Sequence, residues 1–219
     1  TLAFSVYVYR RIGGATGDTF GAVCEMVEVV PALVLAISPL GGINLHASLL
    51  PKYRGAAPIN WAIYHGDAET GVSVIHMTAR LDSGPCLVQR RTPIGPDEDA
   101  VQLERRLSQI GVDAVHEALG LIAQWDGQSP LGVVQDPTAA TRAPRLKKTD
   151  GEVDWTRSAQ QIANQVRALK PWPGTFSTWR RPPGEPMRLI LDHASVAPDA
   201  DYTGQPGEVV LVEKSRLLV

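Results

Sequence analysis

The run from Leu33 to His46 constrains what this chain can fold into more than any other stretch. Leu33-Val34-Leu35-Ala36-Ile37, then Leu40 and Ile43, are apolar, and the run breaks soon after at Pro51. Such a run reads as a buried strand with its entry, over 32–47. It ends by presenting two polar side chains, Asn44 and His46. Residues two apart on an extended chain project to the same side, so an amide and an imidazole would enter one space. In open parallel α/β sheets, ligands bind just beyond the carboxyl ends of strands. The expected fold is therefore α/β with a mostly parallel sheet, and this exit is the candidate site.

Downstream, the pattern alternates. Pro51 to Pro58 reads as a loop carrying Lys52, Tyr53 and Arg54, followed by a short helix over Ile59–Tyr64 capped by Gly66. Val72–Met77 and Leu87–Arg91 read as strands. Asp97, Glu98 and Asp99 then precede Leu103, Leu107, Ile110, Ala114, Ala118, Leu121 and Trp125 at helical spacing, ended by Gly127. Prolines and basic residues make 128–157 a linker by composition. A second helix carries Ile162, Val166 and Leu169 and is stopped by Pro171-Trp172-Pro173-Gly174. Short strands at Met187–Leu191 and Glu208–Val212, with an apolar end at Leu217–Val219, suggest the start of a small β domain. At the other end, Ala3–Tyr9 is strand-like, and Gly13-Gly14-Ala15-Thr16-Gly17 lacks the G-x-G-x-x-G spacing, so it reads as a plain connection. Expected boundaries are thus 1–127, 128–157 and 158–219.

Composition removes several classes. A net charge of −2 gives no global basic field, though a local basic patch remains open. Two cysteines, Cys24 and Cys86, make neither a disulfide framework nor a metal site. No paired spacing supports a metal at His46, His65 and His76, so none is expected. No apolar run is long enough for a membrane span and no signal-peptide pattern opens the chain, so a cytoplasmic protein is expected.

Asn44, His46 and Asp82 together suit acyl transfer to an amine. An imidazole takes a proton near neutrality, a carboxylate orients it, and an amide donates to a developing oxyanion. By residue type alone, an Asn and a His at a strand end are more often satisfied structural polars. Ser48 lacks a G-x-S-x-G elbow, which argues against a serine hydrolase.

Several stretches carry a resemblance. Ile43-Asn44-Leu45-His46-Ala47-Ser48-Leu49-Leu50-Pro51-Lys52-Tyr53-Arg54-Gly55-Ala56-Ala57-Pro58-Ile59 is similar to the signature of the methionyl-tRNA formyltransferases, within the 10-formyltetrahydrofolate-dependent formyltransferase family. Gly66–Ser73 and Leu81-Asp82-Ser83-Gly84 follow in the family's order, with 36 residues from His46 to Asp82. Gly151–Trp155 and Lys170–Phe176 resemble the linker and helix end of the methionyl-tRNA enzymes. The match runs over roughly 32–219, with Arg80 and Pro85 standing where the family pattern has Gly and Asp.

The resemblance implies a Rossmann-like catalytic domain followed by an OB-like barrel. Only 43 residues precede Asn44, so the first strands of the sheet, and part of the barrel, are expected to be missing from this chain. It implies that Asn44 bonds the formyl oxygen, that His46 assists, and that Asp82 orients His46 and helps move the amine's proton. Ser48, Leu49, Leu50 and Pro51 would hold the co-substrate, 10-formyltetrahydrofolate. The amine would be that of methionine on initiator tRNA, with Lys52, Arg54, Arg142, Arg145, Lys147 and Lys148 as candidates for its phosphates. A monomer is expected. An amino-sugar nucleotide as acceptor, or a truncated inactive homologue, are the alternatives.

Overall fold

A computed structural model of the chain describes residues 40–180, 183–197, 204–212 and 217–219. The expectations for Ala3–Tyr9, the glycine-rich connection, Cys24 and the run Leu33–Ile37 lie outside the described residues.

Around the candidate site the chain builds a three-stranded sheet backed by one long helix. Strand β1 (Ile43–His46) leads through the two-residue strand β2 (Arg54–Gly55) to helix α1 (Pro58–His65). Pro58 sits in the first turn of α1, and Gly66 closes it in the left-handed conformation, φ 74°. Strands β3 (Glu69–His76) and β4 (Cys86–Pro93) follow, in the order β1-β3-β4. Both pairings are antiparallel: Asn44 lies opposite Ile75 and His46 opposite Ser73, and β4 returns along β3 from Val88 opposite Val74 to Pro93 opposite Glu69. The sequence expectation was a mostly parallel sheet. The described part of the sheet is antiparallel: β4 returns after the loop 77–85, too short for a parallel crossover, and β1 pairs antiparallel with β3 across the longer connection that carries α1. Parallel pairing among the described strands is confined to β2 with β5 (Arg142–Ala143).

Helix α2 (Ala100–Ala123) covers the sheet. Asp99 caps it by accepting the Gln102 N–H, while the Gln102 side chain bonds back to the Asp99 N–H. Leu103, Leu107, Ala114 and Ala118 are buried against Val72, Val74 and Val88 of β3 and β4. Leu103 and Leu107 each contribute about 1.5–3 kcal/mol by leaving water. Gly111 lets β1 come close, since a Cβ there would meet the Leu45 side chain at 2.6 Å.

Glu98 ties the end of β4 to α2. It accepts the Gly95 N–H at 3.0 Å and two guanidinium bonds from Arg106, at 2.8 and 2.7 Å. The hydrogen bonds from Arg106 hold its carboxyl below the usual range, with burial opposing them. A carboxyl depressed in the folded state stabilises it above the ordinary value of 4.5, and that stability is lost as pH falls toward the folded value. Glu98→Gln should therefore shrink the drop in melting temperature between pH 7 and pH 4; an unchanged drop would exclude this role.

Helix α3 (Ala159–Ala168) packs on α1, and Ser158 and Gln161 form its capping box. Gln165 lies in its buried face and donates to Asp150 O and Glu152 O. Strands β6 (Thr175–Trp179) and β7 (Met187–Leu191) form one antiparallel ribbon. Strands β8 (Leu211–Val212) and β9 (Leu217–Leu218) form another. These ribbons occupy the region where the start of a small barrel was expected.

Candidate active site

Asn44, His46 and Asp82 meet. The Asn44 amide approaches Asp82 Oδ1 at 3.4 Å, and His46 Nδ1 lies 3.6 Å from Asp82 Oδ2. The His46 and Asp82 side chains are only 6 % and 9 % exposed. The carboxylate also accepts the Gly55 N–H at 2.9 Å, which joins the loop after β3 to β2. Asp82 itself stands in the left-handed region, φ 48°.

The second ring nitrogen orients His46. Nε2 lies 2.8 Å from the Tyr53 carbonyl. A carbonyl only accepts, so Nε2 carries the proton and donates. In the neutral ring Nδ1 is then a bare acceptor facing the Asp82 carboxylate. Tyr53 is fixed in turn, its N–H donating to Thr141 Oγ1 at 2.8 Å. Burial, then the Asp67 carboxylate, push its phenol far above the ordinary value, so it stays protonated.

The trio opens into a cleft of about 630 Å³. Apolar residues line much of it, among them Leu45, Ala57, Ile59 and Leu146, with Leu81 and Trp172 at exposed positions. Glu104 and Lys170 are its other charged side chains.

Other residues named from sequence fall elsewhere. Ser48, Leu49, Leu50 and Pro51 do not line this cleft. Ser48 and Leu50 are buried in a turn stitched to the sheet: Ser48 Oγ donates to Lys52 O, Ser73 Oγ to Ser48 O, and Leu50 N–H to Ser73 Oγ. Leu49 packs over Gly71 of β3. These contacts fix Ser48, Leu49 and Leu50 against the sheet. Among the basic candidates, Lys52 pairs with Asp67 at 3.4 Å. Both Nε and Nη2 of Arg54 bond Gln135 Oε1, at 3.1 and 2.7 Å. Arg142, Arg145, Lys147 and Lys148 are exposed, with no carboxylate partner among the described residues.

Sequence reasoning missed Gln135. It is buried, and its amide donates to Asp82 O at 2.9 Å and to Gly84 O at 2.7 Å while its oxygen accepts Arg54. The loop bearing the acid is thus held from a segment that reads as linker. One isolated glutamine between Val134 and Asp136 leaves no pattern that could have flagged it.

Comparison with known proteins gives the family. The Formyl transferase family model matches residues 20–119, and the model for the Formyl transferase C-terminal domain matches 145–219. Residues 1–36 also match the Cobalamin-5-phosphate synthase model. A methionyl-tRNA formyltransferase of Rhodopirellula baltica is 51% identical over 158 residues, covering 71% of this chain and 47% of that protein. One from Geobacter sulfurreducens is 44% identical, covering 88% and 57%. The chain thus spans about half the length of the curated relatives it matches. Among solved structures, HypX from Aquifex aeolicus in complex with tetrahydrofolic acid shares the fold at TM-score 0.57 and 20% identity, over 80% of this chain and 29% of HypX. Rv3404c of Mycobacterium tuberculosis, a likely sugar N-formyltransferase, does so at 0.53 and 22%, over 71% and 66%. These matches join the Rossmann-like catalytic half to the C-terminal domain expected after it, and the chain belongs to the formyl transferase family.

Proposed function

We propose that this chain transfers a formyl group from 10-formyltetrahydrofolate to the α-amino group of methionyl-tRNA, the initiator, and so serves translation initiation in the cytoplasm. The observation that carries the reading is the convergence of Asn44, His46 and Asp82 within 3.4–3.6 Å at the edge of one cleft. The names of relatives at 44–51% identity support tRNA as the carrier of the amine.

The reaction breaks the bond from the formyl carbon to a folate nitrogen and forms one to the acceptor nitrogen. A proton passes from the amine to the departing nitrogen, and no electrons change hands. Asn44 can turn its N–H from the long contact with Asp82 to the formyl oxygen as that oxygen gains negative charge. Such a donor is worth about 3–4 kcal/mol of barrier. His46 Nδ1 and Asp82 Oδ2 face each other as two acceptors, and a proton arriving from the amine is shared between them. The apolar walls at Leu45, Ala57 and Ile59 suit a flat ring system and exclude water from the transfer. Ser48, Leu49, Leu50 and Pro51, in the turn directly after His46, are proposed to hold the folate, as their motif implies. Lys52, Arg54, Arg142, Arg145, Lys147 and Lys148 are the proposed contacts to tRNA phosphates. The working unit is proposed to be a monomer.

A second reading keeps the chemistry with an amino-sugar nucleotide as acceptor, because sugar N-formyltransferases share the fold. The purified chain should formylate methionyl-tRNA from 10-formyltetrahydrofolate and leave an amino-sugar nucleotide untouched, with transfer abolished in His46→Ala. Transfer to the sugar amine alone would overturn the tRNA reading.

A further inference from the structure

Trp172 occupies an unusual position for a tryptophan of this chain. Trp61, Trp125 and Trp155 each direct the indole N–H to a protein acceptor: Pro144 O, Ser129 O and Ser177 Oγ. The Trp172 N–H has no such partner among the described residues, and the residue is 49% exposed. It nevertheless lines the same cleft as Asn44, His46 and Asp82. Its backbone is not loose. The segment follows α3 directly, and Gly174 N–H bonds back to Leu169 O at 3.0 Å. A large π-face is therefore held half out of the protein at the mouth of the reacting site.

The surroundings indicate what would cover it. Leu146 lines the cleft and is buried, while its neighbours Arg145 and Lys147 are exposed beside it. Lys170 lines the same cleft, with Asp99 and Asp192 each 3.8 Å from its ammonium. Glu104 is the one other acid besides Asp82 in the lining. A methionine side chain would favour an enclosed apolar hole. An open ring beside the reacting trio, in a cleft that includes Lys170 and whose Leu146 stands between the exposed Arg145 and Lys147 in the chain, suits a nucleotide with its base on the indole.

We propose that Trp172 is the platform on which a nucleobase of the acceptor stacks, fixing the amine over the trio. This takes its acceptor from the formyl-transfer reading. The base could come from the end of an RNA or from a sugar nucleotide, and two probes separate these sources. Calorimetric titration of the full chain with the trinucleotide CCA should show binding, with thymidine diphosphate as the sugar-nucleotide arm. Trp172→Ala should weaken the bound probe by about 5- to 150-fold, and Trp172→Phe, which keeps a ring, by about threefold at most. Thermal melting of both variants reports folding independently.

Unchanged binding in Trp172→Ala, equal loss in Ala and Phe variants, or no binding of either probe would overturn the proposal. Trp172-dependent binding of CCA without formyl transfer to any acceptor would remove the catalytic reading and leave the platform standing. Transfer to methionyl-tRNA with Trp172-independent binding would do the reverse.

Discussion

Asp82→Asn is expected to slow formyl transfer by about 10²–10⁴-fold, the range of a lost proton-handling group. The substitution keeps the shape of the side chain and removes its charge. The Gly55 N–H, 2.9 Å from Oδ2, requires an acceptor there. The new oxygen must take that position, which turns the new NH₂ toward the Asn44 amide, itself placed as a donor at 3.4 Å. Two donors then meet, and nothing is left to share a proton with His46 Nδ1. Stability should fall much less, by about 1–3 kcal/mol for the disturbed hydrogen bonds. Single-turnover rates beside a thermal melt separate the two effects. Transfer within a fewfold of the parent would show that the carboxylate is not part of the machinery.

Gly84→Ala is expected to be the most damaging change outside the trio. A Cβ at Gly84 would lie 1.8 Å from His76 O and 3.0 Å from its carbon. Both are backbone atoms of β3, so no side-chain rotation relieves the clash. His76 N–H is also bonded to Pro85 O at 3.0 Å, and Gln135 grips Gly84 O. The loop must move as a body and carry Asp82 with it. Overpacking of this kind costs about 3 kcal/mol, which for a chain of this length lowers Tm by about 6–12 °C. Formyl transfer should fall as well, because the acid leaves its place. A Tm within about 2 °C of the parent would mean that the loop has more room than this packing allows.

How legible these features were depends on their range along the chain. Asn44 and His46 were readable because a period of two is local. The capping of α2 at Asp99 and of α1 at Gly66 was readable because both signals sit within one turn. Asp82 could be joined to His46 only through a resemblance, since 36 residues of chain hide the contact. The antiparallel direction of the described strands could not be read, because an apolar run specifies burial without naming its partners. β2 and β5 are two residues long, too short for any period to show. β6 was missed because Pro171–Gly174 reads as a stop, and the alternation of Thr175–Trp179 starts at once behind it. Trp172 was read as part of that same stop, whereas it faces the cleft. For Ser48 and Leu50 the motif implied a ligand contact, while their hydrogen bonds to Ser73, more than twenty residues on, left no local signal.

The left-handed backbone at residue 82 narrows the residues this position can accept. Glycine takes that conformation freely, and asparagine and aspartate take it at lower cost than most side chains. Glycine offers no functional group and asparagine no negative charge, so aspartate alone satisfies both the geometry of the bend and the chemistry asked of it. Glutamate, the usual conservative exchange for an acid, is disfavoured twice, by its longer reach and by the roughly 1–2 kcal/mol that the bend would cost it.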